Sequence, residues 1–136
     1  MEVSGLRSEI NRLLQSELDD VDGIIAVALV STNGLPLGFV QRGNLNISSV
    51  DLSLFSTLMT NVINRIRRIN PDSWFINFKH RVVIINGDQY SVIIINNNDL
   101  SIIAVFENYV DINILTYRLI NDLDLLSNLI SGPLGK

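Results

Sequence analysis

The chemically active side chains of this chain gather in two short stretches. Asp19, Asp20 and Asp22 crowd into four positions, and Arg65, Arg67, Arg68, Lys79 and Arg81 place half of the ten Lys and Arg residues within 17 positions. Three adjacent carboxylates suggest a cation site, but the run lacks the Gly and the bidentate Glu of a calcium loop, so it reads as a solvated helix-to-strand connection. The one histidine, His80, stands between Lys79 and Arg81. Neighbouring positive charge disfavours the imidazolium and would make His80 a candidate base. No carboxylate lies near it in sequence to orient it, and it reads as an ordinary surface residue. The chain has no cysteine, which removes a disulfide framework, a Cys-type zinc site and a thiol nucleophile. Neither G-x-x-x-x-G-K-[ST] nor G-x-G-x-x-G occurs, so no recognisable phosphate cradle is present. These residues nominate no catalytic group, no metal site and no cofactor, and an enzyme is not expected.

The basic cluster is the stronger signal. Only Asp72 interrupts it, in a chain whose net charge is -4. Arg65 and Arg68 are three apart and share a helix face, so with Lys79 and Arg81 they can meet an acidic partner surface and steer its approach. The plain alternative is that they solubilise a helix C-terminus and complement its dipole. Nucleic acid fits less well, because the chain is acidic overall and carries no RNA-binding motif with paired aromatics. Beside the cluster lie Trp74, Phe75 and Phe78, in a strand pattern that alternates Trp74, Ile76 and Phe78 against Phe75, Asn77 and Lys79. Large aromatics next to an apolar helix mark a protein interface, or else they cap the monomer's own core.

These groups need elements to hold them. Ser8 to Leu18 reads as an amphipathic helix with Ile10, Leu13, Leu14 and Leu18 on one face. Ile24 to Ser31 and Leu35 to Val40 read as strands joined at Asn33-Gly34, a two-residue hairpin turn that needs φ > 0. A second helix, capped at Ser48 or Ser49 with Asp51 in its first turn, carries Leu52, Phe55, Leu58, Met59, Val62, Ile63, Ile66 and Ile69 as a stripe and stops at Asn70-Pro71. Three antiparallel strands follow between Ser73 and Glu107. Val92, Ile93, Ile94 and Ile95 show no polar alternation, so their strand is interior and helices cover both sheet faces. Tyr109 to Ile130 forms the last helix, ended by Gly132-Pro133. The order is α-β-β-α-β-β-β-α.

At 136 residues the chain fits one domain, with a core spanning positions 8 to 130. Its N-terminus lacks a signal-peptide pattern and no apolar run approaches the roughly 18 residues of a membrane span, so a cytoplasmic protein is expected. Asn46-Ile47-Ser48 matches a glycosylation sequon, which without a secretory route is a polar loop entering a helix.

The stretch from Asp19 to Val40 resembles the signature of the Roadblock/LC7 family, a helix leading into a "GVxGxxLVxxDGLPL" hairpin. Val21, Gly23, Ala26, Leu29, Val30, Ser31, Asn33, Gly34, Leu35, Pro36 and Leu37 carry the match. The resemblance implies an α/β sandwich: a five-stranded antiparallel sheet with the middle helix on one face and the two terminal helices on the other. It also implies a homodimer, or a pairing with another Roadblock protein, through the middle helix and the third strand. Phe55, Met59, Val62, Ile63, Ile66, Phe75 and Phe78 would line that interface. The function so implied is non-enzymatic regulation or scaffolding of a small Ras-like GTPase, in the manner of a GTPase-activating protein, with Arg65, Arg68, Trp74, Lys79 and Arg81 as partner-binding residues. Two alternatives stay open: a light-chain-like structural adaptor indifferent to nucleotide, and a small-molecule sensor, which the apolar strands argue against by filling the core.

Overall fold

The computed structural model describes residues 3–43, 47–69, 79–97 and 99–131. Eight elements follow one another: α1 (Val3–Asp20), β1 (Ile24–Ser31), β2 (Pro36–Gln41), α2 (Ser49–Ile69), β3 (Arg81–Asn86), β4 (Tyr90–Asn96), β5 (Leu100–Glu107) and α3 (Ile112–Ser131). The element order matches the expected one. Helix α1 starts five residues earlier than the apolar spacing requires. Helix α3 starts three residues later than expected, because Asp111 caps it: its Oδ1 accepts from the backbone N–H groups of Asn113 at 2.9 Å and Ile114 at 3.2 Å. At α2 the Ser48 carbonyl accepts the first helical bond, from Leu52 N–H at 3.2 Å, which makes Ser48 the capping position.

The hairpin between β1 and β2 is longer by one residue than a two-residue turn. Gly34 N–H donates to the Ser31 carbonyl at 3.0 Å, and Ser31 N–H donates to the Leu35 carbonyl at 2.9 Å. The loop is therefore Thr32, Asn33 and Gly34, a β-turn followed by a glycine bulge with Gly34 at φ +87°. Ser31 Oγ reinforces it by accepting from Leu35 N–H at 3.1 Å. A side chain is excluded at Gly34 twice over, since a Cβ there would also stand 2.6 Å from Thr57 Oγ1 of α2.

All neighbouring strands are antiparallel and their order is β2-β1-β5-β4-β3. β5 is the middle strand. β4 is interior as its unbroken apolar run requires, flanked by β5 and β3. Alternation along the strands divides the core into two layers. Val27, Leu29, Ile93, Ile95, Ile102, Ala104 and Phe106 face α1 and α3, where Ile10, Leu14, Leu18, Leu115, Leu119, Leu123 and Leu126 bury against them. The opposite face offers Ala26, Ala28, Val30, Ile94 and Ile103 to α2, which buries Leu52 among them. The two terminal helices therefore lie on one side and α2 on the other, as expected. The α1/α3 layer holds most of the large side chains, so it supplies most of the hydrophobic stabilisation.

Candidate protein interface

Among the described residues α2 and β3 carry large apolar side chains left exposed, as α3 does at Ile114, Tyr117 and Leu125. On α2, Leu52 and Ser53 are buried near the N-terminus. Beyond them Leu54, Leu58 and Val62 are each more than half exposed, and Ile69 is 84% exposed. Together with the exposed Arg65 their spacing of four, four, three and four places them in one stripe along the solvent side. A largely apolar helix face left in water is a face suited to a partner.

Among the described residues β3 is an edge strand, paired on one side, to β4. Its side chains Val82, Val83, Ile84 and Ile85 are all 38 to 42% exposed, those pointing to either face of the sheet alike. Alternation aligns Val83 and Ile85 with the α2 side, through their partners Ile94 and Val92, and Val82 and Ile84 with the α1/α3 side, through Ile95 and Ile93. The strand is apolar between its ends, with no Lys, Pro or bulge to block pairing, and its outer N–H and C=O groups, unpaired among the described residues, offer a template for another strand. The other edge differs: β2 begins at Pro36, which donates no hydrogen bond, and α1 packs on it.

Beside β3 an open groove of about 520 Å³ is lined by Ile84, Asn86, Ser91, Phe106, Val110 and Ile112, among others. Its polar atoms already serve one another. Ser91 Oγ donates to Asn108 Oδ1 at 2.6 Å, and Asn108 Nδ2 donates to the Gly87 carbonyl at 2.9 Å. What remains for a visitor is chiefly apolar wall continuous with Ile84.

The residues nominated from sequence fall into three groups. Arg65, Arg68 and Val62 are exposed on α2, and Lys79 is exposed beside β3, its Nζ 3.7 Å from Asp124 Oδ2. Arg81 is not part of that exposed patch: it is 3% exposed, and its Nη2 donates to Asn96 Oδ1 on β4 at 3.0 Å. As the first residue of β3, with Asn96 directly opposite, its side chain is drawn over the sheet instead of into solvent. Phe55, Met59, Ile63 and Ile66 lie on α2, but their side chains are outside the described residues, as are Trp74, Phe75 and Phe78; of the strand expected from Ser73, positions 73–78 lie outside the described residues and Lys79 and His80 precede β3 without being part of it.

His80 departs from its expected place on the open surface. Its side chain is 18% exposed and its Nε2 meets Asp124 Oδ1 of α3 at 2.8 Å. A partner 44 residues away is invisible to a search for neighbouring carboxylates. In the acidic run, Asp20 pairs with Arg118 of α3 at 3.1 Å and Asp22 accepts from the Tyr109 hydroxyl at 3.3 Å. These aspartates thus tie the end of α1 to the segment that leads into α3 and to α3 itself.

No family model matches the sequence, and no curated protein does. Solved structures do match. MglB of Myxococcus xanthus is similar at a TM-score of 0.73 over 92% of this chain and 90% of that one, at 15% identity. The gliding protein MglB of Thermus thermophilus matches at 0.71 over 91% and 90%, at 10% identity. A Roadblock/LC7 domain from Streptomyces avermitilis matches at 0.69 over 88% and 96%, at 15% identity. With its hairpin motif, its five-stranded antiparallel sheet and its helices divided two to one, the chain has the Roadblock/LC7 fold.

Proposed function

We propose that the protein is a homodimer that regulates or scaffolds a small Ras-like GTPase, assembled by pairing β3 and α2 with their copies. The observation that carries this reading is the edge of β3, uncovered among the described residues, lying in the same sheet that α2 crosses with an exposed apolar stripe. Pairing two β3 edges makes one continuous ten-stranded sheet from the two sheets of five and removes the aggregation hazard of each edge. Val83, Ile85, Leu58 and Val62 then become the apolar centre of the interface, with Arg65 and Arg68 as a basic rim that meets an acidic partner. The resemblance of the hairpin to the Roadblock/LC7 signature supports a GTPase as that partner, and the fold is shared with a gliding protein, MglB. A dimer that binds one switch conformation more tightly than the other shifts its population without donating catalytic groups.

Light scattering on the wild type and on a Val83→Lys, Ile85→Lys variant tests the assembly. The expected masses are a dimer and a folded monomer, since both positions are solvent-exposed in the single chain. A monomeric wild type overturns the reading. Capture of GDP-loaded and GTP-analogue-loaded small GTPases then tests the partner, and Arg65→Glu with Arg68→Glu is expected to weaken capture about tenfold or more while the mass stays dimeric.

A further inference from the structure

Among the described residues the seam between α1 and α3 holds more acid than its cation, Arg118, can neutralise. Glu17 is 2% exposed and Asp122 8% exposed, and Arg118 is the cation that reaches into the seam. Both Glu17 oxygens accept from Arg118, at 2.8 and 3.0 Å, and Asp20 takes a third bond at 3.1 Å. Asp122, one turn further along α3, lies beside Glu17, and its buried Oδ2 meets no hydrogen-bond donor among the described residues. A buried carboxylate with an unmatched oxygen beside a second carboxylate is costly, and a proton resolves the problem by turning one acceptor into a donor.

We propose that Glu17 and Asp122 form a proton-binding site that sets how firmly α3 seats on α1: the seam closes when one proton is held there and loosens when it leaves to solvent. The groups facing the pair are Glu17 and Asp20 from α1 and Arg118 from α3. The strands beneath contribute apolar side chains, among them Leu29, Ile102 and Ala104. Arg42, at the end of β2, is engaged by the Ile24 and Leu18 carbonyls, and Asp124 is engaged with His80 and Lys79. Burial first, and then the charge of Glu17, push the Asp122 carboxyl up to about 7, against the opposing pull of Arg118. A carboxyl raised in the folded state and ordinary in the unfolded one binds the proton in the fold only, so stability is fully present below the usual carboxylate range and is lost as pH rises through about 7.

Two measurements on the full chain decide it. In a carbon-13 carboxyl titration, the Asp122 resonance is expected to inflect near 7; an inflection below about 5 overturns the proposal. Thermal unfolding at pH 5.5 and 8.5 compares the wild type with Asp122→Asn, which keeps the shape and supplies a fixed donor to Glu17. The wild-type midpoint is expected to fall by about 5 °C or more beyond any fall in the variant. Contacts common to both proteins, such as that of His80 with Asp124, cancel in the difference. Parallel pH profiles overturn the proposal, and if the variant does not fold the wild-type titration decides alone.

Discussion

Arg118 of α3 grips Glu17 of α1 with two near-parallel hydrogen bonds, Nε to Oε2 at 2.8 Å and Nη2 to Oε1 at 3.0 Å, although the residues are 101 positions apart. The fork matches the carboxylate edge on, and the almost complete burial of Glu17 shields the pair from water. The hydrogen bond to Glu17 raises the Arg118 proton affinity above its already high ordinary value, so the cation is permanent. It holds the two terminal helices together where the buried carboxyl of Asp122 also lies.

Removing that cation leaves Glu17 and Asp122 buried without a counter-charge. Arg118→Met is expected to destabilise the fold by about 2–3 kcal/mol, below the full value for a buried pair because the guanidinium side is about one third exposed. Urea unfolding of the variant checks this, and a midpoint equal to wild type would show the pair to be energetically idle.

At Gly38 in β2, α1 packs close against the sheet. A Cβ there would lie 2.6 Å from Ile10 Cγ2 and 3.0 Å from Asn11 Oδ1, and Asn11 Oδ1 itself accepts from Phe39 N–H at 3.2 Å. Gly38→Val forces α1 outward and disturbs that bond, with an expected cost of about 1–3 kcal/mol. Calorimetry is the direct check, and an unchanged midpoint would mean that α1 shifts freely.

Tyr109 lies at the start of α3's approach, next to Glu107 and bonded to Asp22. Glu107 first, and then burial and Asp22, push its hydroxyl up to about 12. The sign follows from linkage: the contact stabilises the fold below about 10, the ordinary tyrosine value, and is lost as pH rises through about 12. A phenolate absorbance titration of the wild type minus Tyr109→Phe is expected to isolate one late transition near 12; a transition near 10 would sink the assignment.

Asp124 anchors the start of β3 through His80, so Asp124→Ala frees the strand that the proposed dimer uses. The loss is expected to be about 1 kcal/mol, read as roughly fivefold faster amide exchange at His80 and Arg81 in a monomeric background. Exchange that stays at the wild-type rate would place the anchor elsewhere, in the Arg81 to Asn96 bond.

Local pattern was enough for much of this protein. The spacing of Ile10, Leu14 and Leu18, the apolar run from Val92 to Ile95 and the Asn33-Gly34 pair fix helix, interior strand and hairpin, because backbone periodicity and turn chemistry act within a few residues. The turn itself came out one residue longer, because Ser31 offered a better set of bonds to Gly34 and Leu35 than a two-residue loop does. Tertiary structure alone decided that Arg81 turns inward to Asn96, that His80 finds Asp124, and that Glu17 meets Arg118 and Asp122. It also decided how open β3 is: among the described strands it lies at the sheet edge, with Val82 to Ile85 exposed on both faces. Sequence period reports which side chains are apolar. Which of them are covered depends on the order in which distant strands pair, and in this chain that order leaves the most apolar edge for something else to meet.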